Sequence, residues 1–454
     1  MDASTTRRAF LRQSLATAGL ALPCFIASDV LGMQGAPGAN GRIRIGVAGI
    51  GARGKDLIAN VPPQGRVAAV CDCYTARTAG VLKPDVASPL AERLQHFWET
   101  DAAQCTAYQD FRRMIDREKL DAVIVCVPDH NHVLLEILAL QAGLDLYAEK
   151  PLTLTIAEGR ALVGAVRRYG RVCQVGSQQR SMEMNRFACQ FVRDGGIGRV
   201  SLVRTSNFPG PMRWADLPEE PKPQGMDWDL FCGPTPLRPY NVKLWDKDDF
   251  KVDGKLWRAW DLFRSYSGHL LTNWGAHAID QIQWALGMDD TGPVEVWPMR
   301  DGYKGEMRFC PVAMRYANGI EVRLDLDDRA GSGGIFQGER GKIEITRNRF
   351  TTNPPDLVKN PPDRSAAEIW QGPGIVARPH IENWLDCIQT RATPHAPVET
   401  GHRTATVCHL AGIARELGRK IRWDPEREVF PGDDEANALL DRPRRKGYEL
   451  PSIA

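Results

Sequence analysis

Three glycines in the segment GIGARG could hold the pyrophosphate of a dinucleotide cofactor. Gly49, Gly51 and Gly54 follow directly on the apolar run IRIGVA and precede a stretch with helical periodicity. In such a turn the first glycine permits the tight bend, the second lets the pyrophosphate approach the backbone, and the third allows close helix packing. We expect Ile50 and Arg53, which lie in the same turn, to contact the cofactor as well.

A carboxylate at the end of the next apolar run bears on which dinucleotide would bind. Asp72 ends the run RVAAVCD, where a carboxylate can accept hydrogen bonds from the adenosine ribose hydroxyls. This position favours NAD. Arg77 follows shortly afterwards and could neutralise a 2′-phosphate, so NADP stays open as the alternative.

A parallel sheet is the element best suited to position these residues. The runs IRIGVA, RVAAVC, DAVIVCV and LDLYA are short and apolar, and helical patterns lie between them. Gly143 and Gly170 are placed to end two of those helices. Alternation of strand and helix is typical of a doubly wound α/β fold. We therefore predict an N-terminal Rossmann domain with a parallel sheet over residues 36–172.

The rest of the chain, residues 173–454, shows a different pattern. Four strand-like runs follow one another without helices between them, at residues 294–298, 312–316, 320–325 and 341–345. This succession predicts antiparallel pairing. Helical patterns return at about 380–418, and we expect these C-terminal helices to pack back against the preceding part of the chain. The prediction is an α+β domain with a large, mostly antiparallel open sheet that serves substrate binding and oligomerisation.

The N-terminus resembles a twin-arginine export signal. Arg7 and Arg8 lie in the segment TRRAFLR, and the apolar stretch from Ser14 to Ala27 that follows is too short for a good membrane span. An unstructured basic N-terminus is the alternative. We expect residues 1–35 to direct export to the periplasm or another extracytoplasmic space, with no membrane contact in the mature form.

Composition bounds the class of the protein and of its partners. The chain has 454 residues, of which 43% are apolar and 25% charged, as in ordinary globular proteins. The net charge is only +2 and both signs are interspersed, so we expect no nucleic-acid partner and favour a small molecule. Because the cysteines show neither CxxC nor Cys/His ligand spacing, we also expect no metal site.

Several further motifs occur in an order that resembles one enzyme family. These are CVPDHNH, AEKPLT, VGSQQR, NWGAHAID and GHRTA, which begin at residues 126, 148, 175, 273 and 401. Together with GIGARG they resemble the glucose-fructose oxidoreductase and inositol dehydrogenase family, known as Gfo/Idh/MocA. The resemblance implies hydride transfer between a nicotinamide cofactor and a ring hydroxyl of a sugar, glycoside or cyclitol. It also implies a homo-oligomer, a dimer or tetramer.

The resemblance assigns the catalytic residues. Lys150 of AEKPLT is expected beside the nicotinamide and the substrate hydroxyl, with Glu149 shaping the turn. His277 is expected to take the hydroxyl proton. The family usually has an aspartate four residues before this histidine, but this chain has Asn273, which can orient a hydroxyl and cannot act as a base. Asp280, one helical turn after His277, is a weaker candidate for substrate binding.

Further contacts are expected around these residues. Pro128 and His132 of CVPDHNH and Gln178 of VGSQQR are expected near the cofactor, and Arg180 near the substrate. Trp274 belongs to a segment rich in tryptophan, in which aromatic faces could stack on a sugar or bury an oligomer contact. Both readings of the tryptophans stay open.

Export raises the question of how the cofactor is recycled. Outside the cytoplasm we expect no dependable pool of free dinucleotide, so the cofactor would stay tightly bound and be re-oxidised in place. Alternating oxidation and reduction of two sugars would achieve this. The alternative is an NAD-dependent glycoside hydrolase. Such an enzyme would oxidise a ring hydroxyl, eliminate across the adjacent C–H bond, add water and reduce the ring carbon again. A second alternative is a non-catalytic sugar-binding module.

Overall fold

The computed structural model describes residues 41–453, apart from residues 89, 215, 246–249, 253–254, 258, 328–332 and 364–376. Residues Ile43–Ala454 form one compact unit. The predicted export signal, residues 1–35, lies outside the described residues. None of the helices in the described part of the chain is long and apolar enough to cross a membrane.

Six parallel strands form the N-terminal sheet, in the order β3-β2-β1-β4-β5-β6. Their bounds are β1 Ile43–Ala48, β2 Gly65–Cys71, β3 Thr106–Tyr108, β4 Ala122–Val125, β5 Asp145–Ala148 and β6 Cys173–Val175. The predicted domain boundary at residue 172 falls just before β6. The strand order reverses between β1 and β4, so their carboxyl ends open a crevice in which ligands can bind.

Helices cover both faces of this sheet. Alternate residues of a strand point to opposite faces, and accordingly Ile45 and Val47 of β1 pack in one core while Ala48 packs in a second. The predicted doubly wound Rossmann fold is confirmed. The helices that follow these strands are α1 Ala52–Ala59, α2 Thr75–Val81, α3 Ala91–Thr100, α4 Phe111–Arg117, α5 His132–Gln141 and α6 Ile156–Tyr169.

Eight strands form the second sheet, in the order β15-β14-β13-β7-β12-β11-β10-β16. Every neighbouring pair is antiparallel except β7 with β12, which confirms the predicted, mostly antiparallel sheet. The bounds are β7 Val200–Ser206, β10 Glu295–Pro298, β11 Val312–Arg315, β12 Glu321–Leu326, β13 Gly334–Gly338, β14 Gly341–Thr346, β15 Arg349–Asn353 and β16 Ile421–Arg422.

Three helices pack on one face of the second sheet and share a core with it: α7 Glu183–Arg193, α11 Gly275–Leu286 and α13 Val398–Leu417. A fourth helix, α12 (Arg378–Thr390), returns to the N-terminal sheet. Its residues Ile381, Trp384 and Leu385 are buried in the same core as Ile45. The long C-terminal segment therefore contributes to both sheets.

The segment between β7 and α11 forms a small core of its own, made largely of aromatic side chains. Trp228, Phe231, Trp245 and Tyr266 belong to it. The regular elements of this segment are short: α8 Trp228–Cys232, β8 Phe250–Val252, β9 Lys255–Trp257, α9 Ala259–Leu262 and α10 Leu270–Asn273. The last helix of the chain is α14, Asp434–Asn437.

Candidate active site

The glycine turn after β1 is shaped to accept a bound group. Gly49 has φ 90°, and a Cβ there would collide with the carbonyl oxygen of Cys126 at the end of β4. A Cβ at Gly54 would collide with the carbonyl oxygen of Gly49. A Cβ at Gly51 would meet no protein atom within 4 Å. Gly49 and Gly54 therefore allow the backbone to pack closely, while Gly51 leaves open space before the N-terminus of α1.

Asp72 lies beside this turn and braces it. One carboxylate oxygen accepts a hydrogen bond from the amide of Ile50 at 2.8 Å, and the other accepts from the amide of Tyr74 at 2.9 Å. Arg77 approaches the same carboxylate at 3.9 Å, and its guanidinium lies over the ring of Trp245. The carboxylate is thus fixed at the end of β2, where ribose hydroxyls would bind.

The segment after β5 places Glu149 and Lys150 on the opposite side of the cleft. Glu149 accepts a hydrogen bond from Arg53 Nε at 2.7 Å and another from the amide of Lys150 at 2.9 Å. Arg53 also pairs with Asp56 at 2.5 Å. The Lys150-Pro151 peptide bond is cis. Both oxygens of Glu149 are therefore engaged, and Arg53 joins α1 to the turn that carries Lys150.

Lys150 reaches across to the second domain. Its ammonium donates to Asn273 Oδ1 at 2.7 Å and to the carbonyl oxygen of Asn273 at 3.3 Å. Burial lowers the pKa of Lys150 below its ordinary value of 10.5, an effect that the charge of Glu149 opposes. Asn273 ends α10, so this contact brings the two predicted catalytic segments together.

His277 lies on the first turns of α11, one helical turn after Asn273. Burial, followed by the charges of Lys150 and Arg347, holds its pKa well below the ordinary value of 6.5. The ring is therefore neutral near pH 7. Trp274 lies next to it, with ring centroids 6.1 Å apart, and the indole is 41% exposed although most large apolar side chains are buried.

A cleft of about 490 Å³ joins these features. It is lined by thirteen of the predicted site residues: Gly49, Gly51, Arg53, Gly54, Asp72, Pro128, His132, Glu149, Lys150, Gln178, Asn273, Trp274 and His277. Gln178 is buried, and its Oε1 has no partner among the described residues. That oxygen is left available to a bound molecule. Trp260 of the tryptophan-rich segment also lines the cleft.

Three predicted residues do not line the cleft. The side chain of Ile50 is buried, and only its amide reaches the site, through Asp72. Arg180 donates to both oxygens of Asp280 at 2.8 and 2.9 Å and pairs with Asp289 at 2.6 Å. Because this buried ion pair occupies both partners, the geometry supports a structural role for Arg180 and Asp280 in place of the predicted substrate contact.

His132 lines the cleft, but both of its ring nitrogens are occupied. One lies 3.1 Å from Glu136 Oε1 and the other 2.8 Å from the carbonyl oxygen of Val127. Burial lowers the pKa of His132, but the hydrogen bond and charge of Glu136 outweigh that effect and raise it above the ordinary value. His132 therefore braces the strand end that carries Pro128.

Asp129 and Arg347 are two of the charged cleft residues that were missed in the sequence. Asp129 accepts a hydrogen bond from Ser267 at 2.7 Å, and burial, followed by the charge of Asp261, raises its pKa to about 6. Its position inside CVPDHNH was a signal that could have identified it. Arg347 lines the cleft from the turn between β14 and β15, and no motif marks it.

The cleft fits a dinucleotide. The open space at Gly51, the uncapped N-terminus of α1, the braced carboxylate of Asp72 and the orphan oxygen of Gln178 line one continuous surface. A helix N-terminus offers amide donors and a positive dipole to a pyrophosphate. These residues would hold the phosphate, ribose and nicotinamide ends, and Lys150 and His277 would lie beyond them with the substrate.

Comparison with known proteins agrees with this geometry. Residues 43–177 match the model described as oxidoreductase family, NAD-binding Rossmann fold (Gfo/Idh/MocA), and residues 199–450 match the model of the C-terminal alpha/beta domain of that family. The chain belongs to the Gfo/Idh/MocA oxidoreductase family. The predictions of that family and of NAD as the cofactor are thereby confirmed.

The share of each relative's length that this chain matches differs from one relative to the next. It is 35% identical to D-apiose dehydrogenase from Paraburkholderia graminis over 69% of this chain and 76% of that protein. The match to inositol 2-dehydrogenase from Salmonella paratyphi B is 24% identical over 40% of this chain, and spans only 50% of that relative. The solved aldose-aldose oxidoreductase from Caulobacter crescentus has the same fold, with a TM-score of 0.53 and 18% identity over 84% of this chain and 99% of that one.

Gly51→Ala and Gly54→Ala separate cofactor binding from folding. The added methyl group at Gly51 meets no protein atom within 4 Å and enters the cleft, so we expect an unchanged melting temperature and an affinity for NADH at least about tenfold weaker. At Gly54 the collision with the Gly49 carbonyl should cost about 1–3 kcal/mol of unfolding free energy. NADH titration and thermal unfolding measure both. A Gly51→Ala variant with wild-type affinity would contradict the pyrophosphate assignment.

Proposed function

We propose that this chain oxidises a ring carbon that bears a hydroxyl, on a sugar, glycoside or cyclitol, with NAD as the hydride acceptor. The observation that carries the proposal is the convergence of Lys150, Asn273 and His277 at the end of the NAD cleft. Lys150 comes from the Rossmann domain and the other two from the second domain. A substrate bound beside these three residues would face donor and acceptor groups at once.

The protein's part in the reaction is to hold the substrate and to move one proton. A bound NAD would supply the hydride acceptor for the carbon that bears the hydroxyl, and the protein would take up the hydroxyl proton as the C=O bond forms. The neutral ring of His277 can accept the proton, since among the described residues no group hydrogen-bonds to its ring nitrogens. The ammonium of Lys150 would donate to the substrate oxygen, and Asn273 holds that ammonium in place.

Trp274 supports a carbohydrate ring as the substrate. Its indole is exposed inside the cleft and adjoins His277, and an aromatic face can pack against the apolar C–H face of a sugar. The relatives named above as dehydrogenases of D-apiose and inositol act on polyhydroxylated compounds by their names. A polyhydroxylated ring is therefore the class of substrate that this end of the cleft favours.

Lys150→Ala tests the proposal. Purified protein is supplied with NAD and a panel of aldoses, glycosides and inositols, and formation of reduced nicotinamide is followed by absorbance. We expect wild type to oxidise at least one compound and Lys150→Ala to lose about 10²- to 10⁴-fold in kcat, with NADH affinity retained. Lys342→Ala, which alters an exposed lysine on β14, is the control. Undiminished turnover by Lys150→Ala would refute the assignment.

We propose further that the enzyme is exported with its cofactor resident and works as a homo-oligomer. The supports are the Arg7-Arg8 segment with its apolar stretch, and the ability of the twin-arginine route to carry a folded, loaded protein. Family members associate through the open sheet of the second domain, so a dimer or tetramer built on that sheet is part of the proposal. A resident cofactor would be re-oxidised in place.

Fractionation of cells that express wild type, or a variant with Arg7→Lys and Arg8→Lys, tests export and retention together. We expect wild type in the extracytoplasmic fraction, with about one NAD per chain released on denaturation and identified by mass spectrometry. The variant should remain inside the cell, because the arginine pair is what the route reads. An extracytoplasmic wild type free of nucleotide would contradict a resident cofactor.

A further inference from the structure

The last described residues of the chain cross from the second domain to the Rossmann domain. Residues 439–453 follow α14 without forming a helix or strand, and we call them the C-terminal strap. Near the start of the strap, Arg442 binds Glu158 on α6 at 2.8 Å. Near its end, Leu450 and Ile453 pack against a core of the N-terminal sheet. The strap is thus attached to the Rossmann domain on both sides of its middle part.

Two side chains in the middle of the strap bind one carboxylate of the second domain. Arg445 donates to Asp229 Oδ1 at 2.6 Å and to the carbonyl oxygen of Gly233 at 2.9 Å. The hydroxyl of Tyr448 donates to Asp229 Oδ2 at 2.5 Å. The hydrogen bond from Arg445 lowers the pKa of Asp229 below the ordinary value of 3.8, so the carboxylate stays charged near pH 7. Asp229, which lies on α8, therefore anchors the middle of the strap.

Tyr448 of the strap also belongs to the wall of the cofactor cleft. It lines the cleft, as do Phe111 and Arg112 on α4. The guanidinium of Arg112 lies 5.3 Å from the centre of the Tyr448 ring and donates to the carbonyl oxygen of Gly447 at 3.1 Å. The guanidinium of Arg445 lies 4.7 Å from the same ring centre. The ring is therefore held in place, and the strap and the first turn of α4 form one continuous wall.

That wall lies at the adenosine end of the cleft. Gln109, between β3 and α4, donates to the carbonyl oxygen of Cys73 at 3.0 Å. Cys73 directly follows Asp72, whose carboxylate stands where the adenosine ribose hydroxyls would bind. Gln109 and Cys73 also line the cleft. The surface that begins at Asp72 therefore continues through α4 to Tyr448, and an adenosine bound there would have the strap beside it.

We propose that the C-terminal strap completes the cofactor site, that Tyr448 contacts the adenosine half of bound NAD, and that the strap must detach before the dinucleotide can leave. Detachment breaks the bonds of Arg445 and Tyr448 to Asp229 together, so the strap slows release of the cofactor. The inference rests on the NAD cleft of the proposed function and deepens its claim of a resident cofactor. A strap closed over the adenosine keeps NAD bound from one turnover to the next.

Displacement of NADH tests the inference. Full-length protein loaded with NADH is mixed with excess NAD, and the decay of the nicotinamide fluorescence gives the dissociation rate. Asp229→Ala removes both anchoring bonds and Tyr448→Ala removes the contacting ring, so we expect each variant to raise this rate at least about tenfold. Tyr448→Phe keeps the ring and loses one bond, so its rate should lie between those of wild type and Tyr448→Ala.

A cofactor fragment and a control variant locate the effect. ADP-ribose lacks the nicotinamide, and its calorimetric affinity should fall about tenfold in Tyr448→Ala because the contact lies at the adenosine half. Glu435→Gln weakens another exposed ion pair near the C-terminus, with Arg419 at 2.9 Å, and should release NADH at the wild-type rate. Melting temperatures of all variants should stay within about 3 °C of wild type.

The outcomes separate this inference from the proposed function. Unchanged dissociation rates in Asp229→Ala and Tyr448→Ala would overturn the inference, as would an equal acceleration in Glu435→Gln. Because the displacement assay contains no sugar, these results would leave the proposed oxidation standing. A wild type that releases NADH slowly, with the expected variant effects, but oxidises none of the sugars or inositols would contradict the proposed oxidation and support the strap.

Discussion

The hydrogen bond from Lys150 to Asn273 is the contact on which the candidate site depends. One partner follows a strand of the Rossmann sheet and the other ends a helix of the second domain, so the bond closes the end of the cofactor cleft. Because Asn273 is neutral, the ammonium has no carboxylate opposite it from the second domain. Burial lowers the pKa of Lys150, and burial, followed by the charges of Lys150 and Arg347, keeps His277 neutral.

Buried polar contacts beneath the cleft hold the second domain in register with the first. Arg180 follows β6 and binds Asp280 on α11, and Thr404 on α13 donates to the same carboxylate at 3.2 Å. A buried ion pair adds little net stability, but its loss would leave an unpaired buried charge. Its position here ties the exit of the N-terminal sheet to the helix of His277. Residues that touch no ligand thereby set the distance between the proton-handling groups.

Most of the fold could be predicted from the sequence, because the spacing of apolar residues and the residue types in turns are local features of the chain. Gly51 and Asp72 were predictable for that reason, and the order of motifs led to Lys150 and His277. Arg180 and Asp280 were predicted as substrate contacts because nothing local shows that two such residues pair with each other. Arg347 was missed because its position depends on a β-hairpin turn that Asn185, on helix α7, holds by a hydrogen bond. Such long-range packing leaves no sequence motif.

The most direct measurement of the central claim is the pH dependence of kcat/KM for wild type and Asn273→Asp. If neutral His277 accepts the proton beside the Lys150 ammonium, the acid limb of wild type lies below pH 6.5 and the alkaline limb below pH 10.5. A carboxylate at position 273 favours the charged forms of both groups, so both limbs should move to higher pH. A wild-type acid limb above pH 6.5, or limbs that stay in place in Asn273→Asp, would contradict the account.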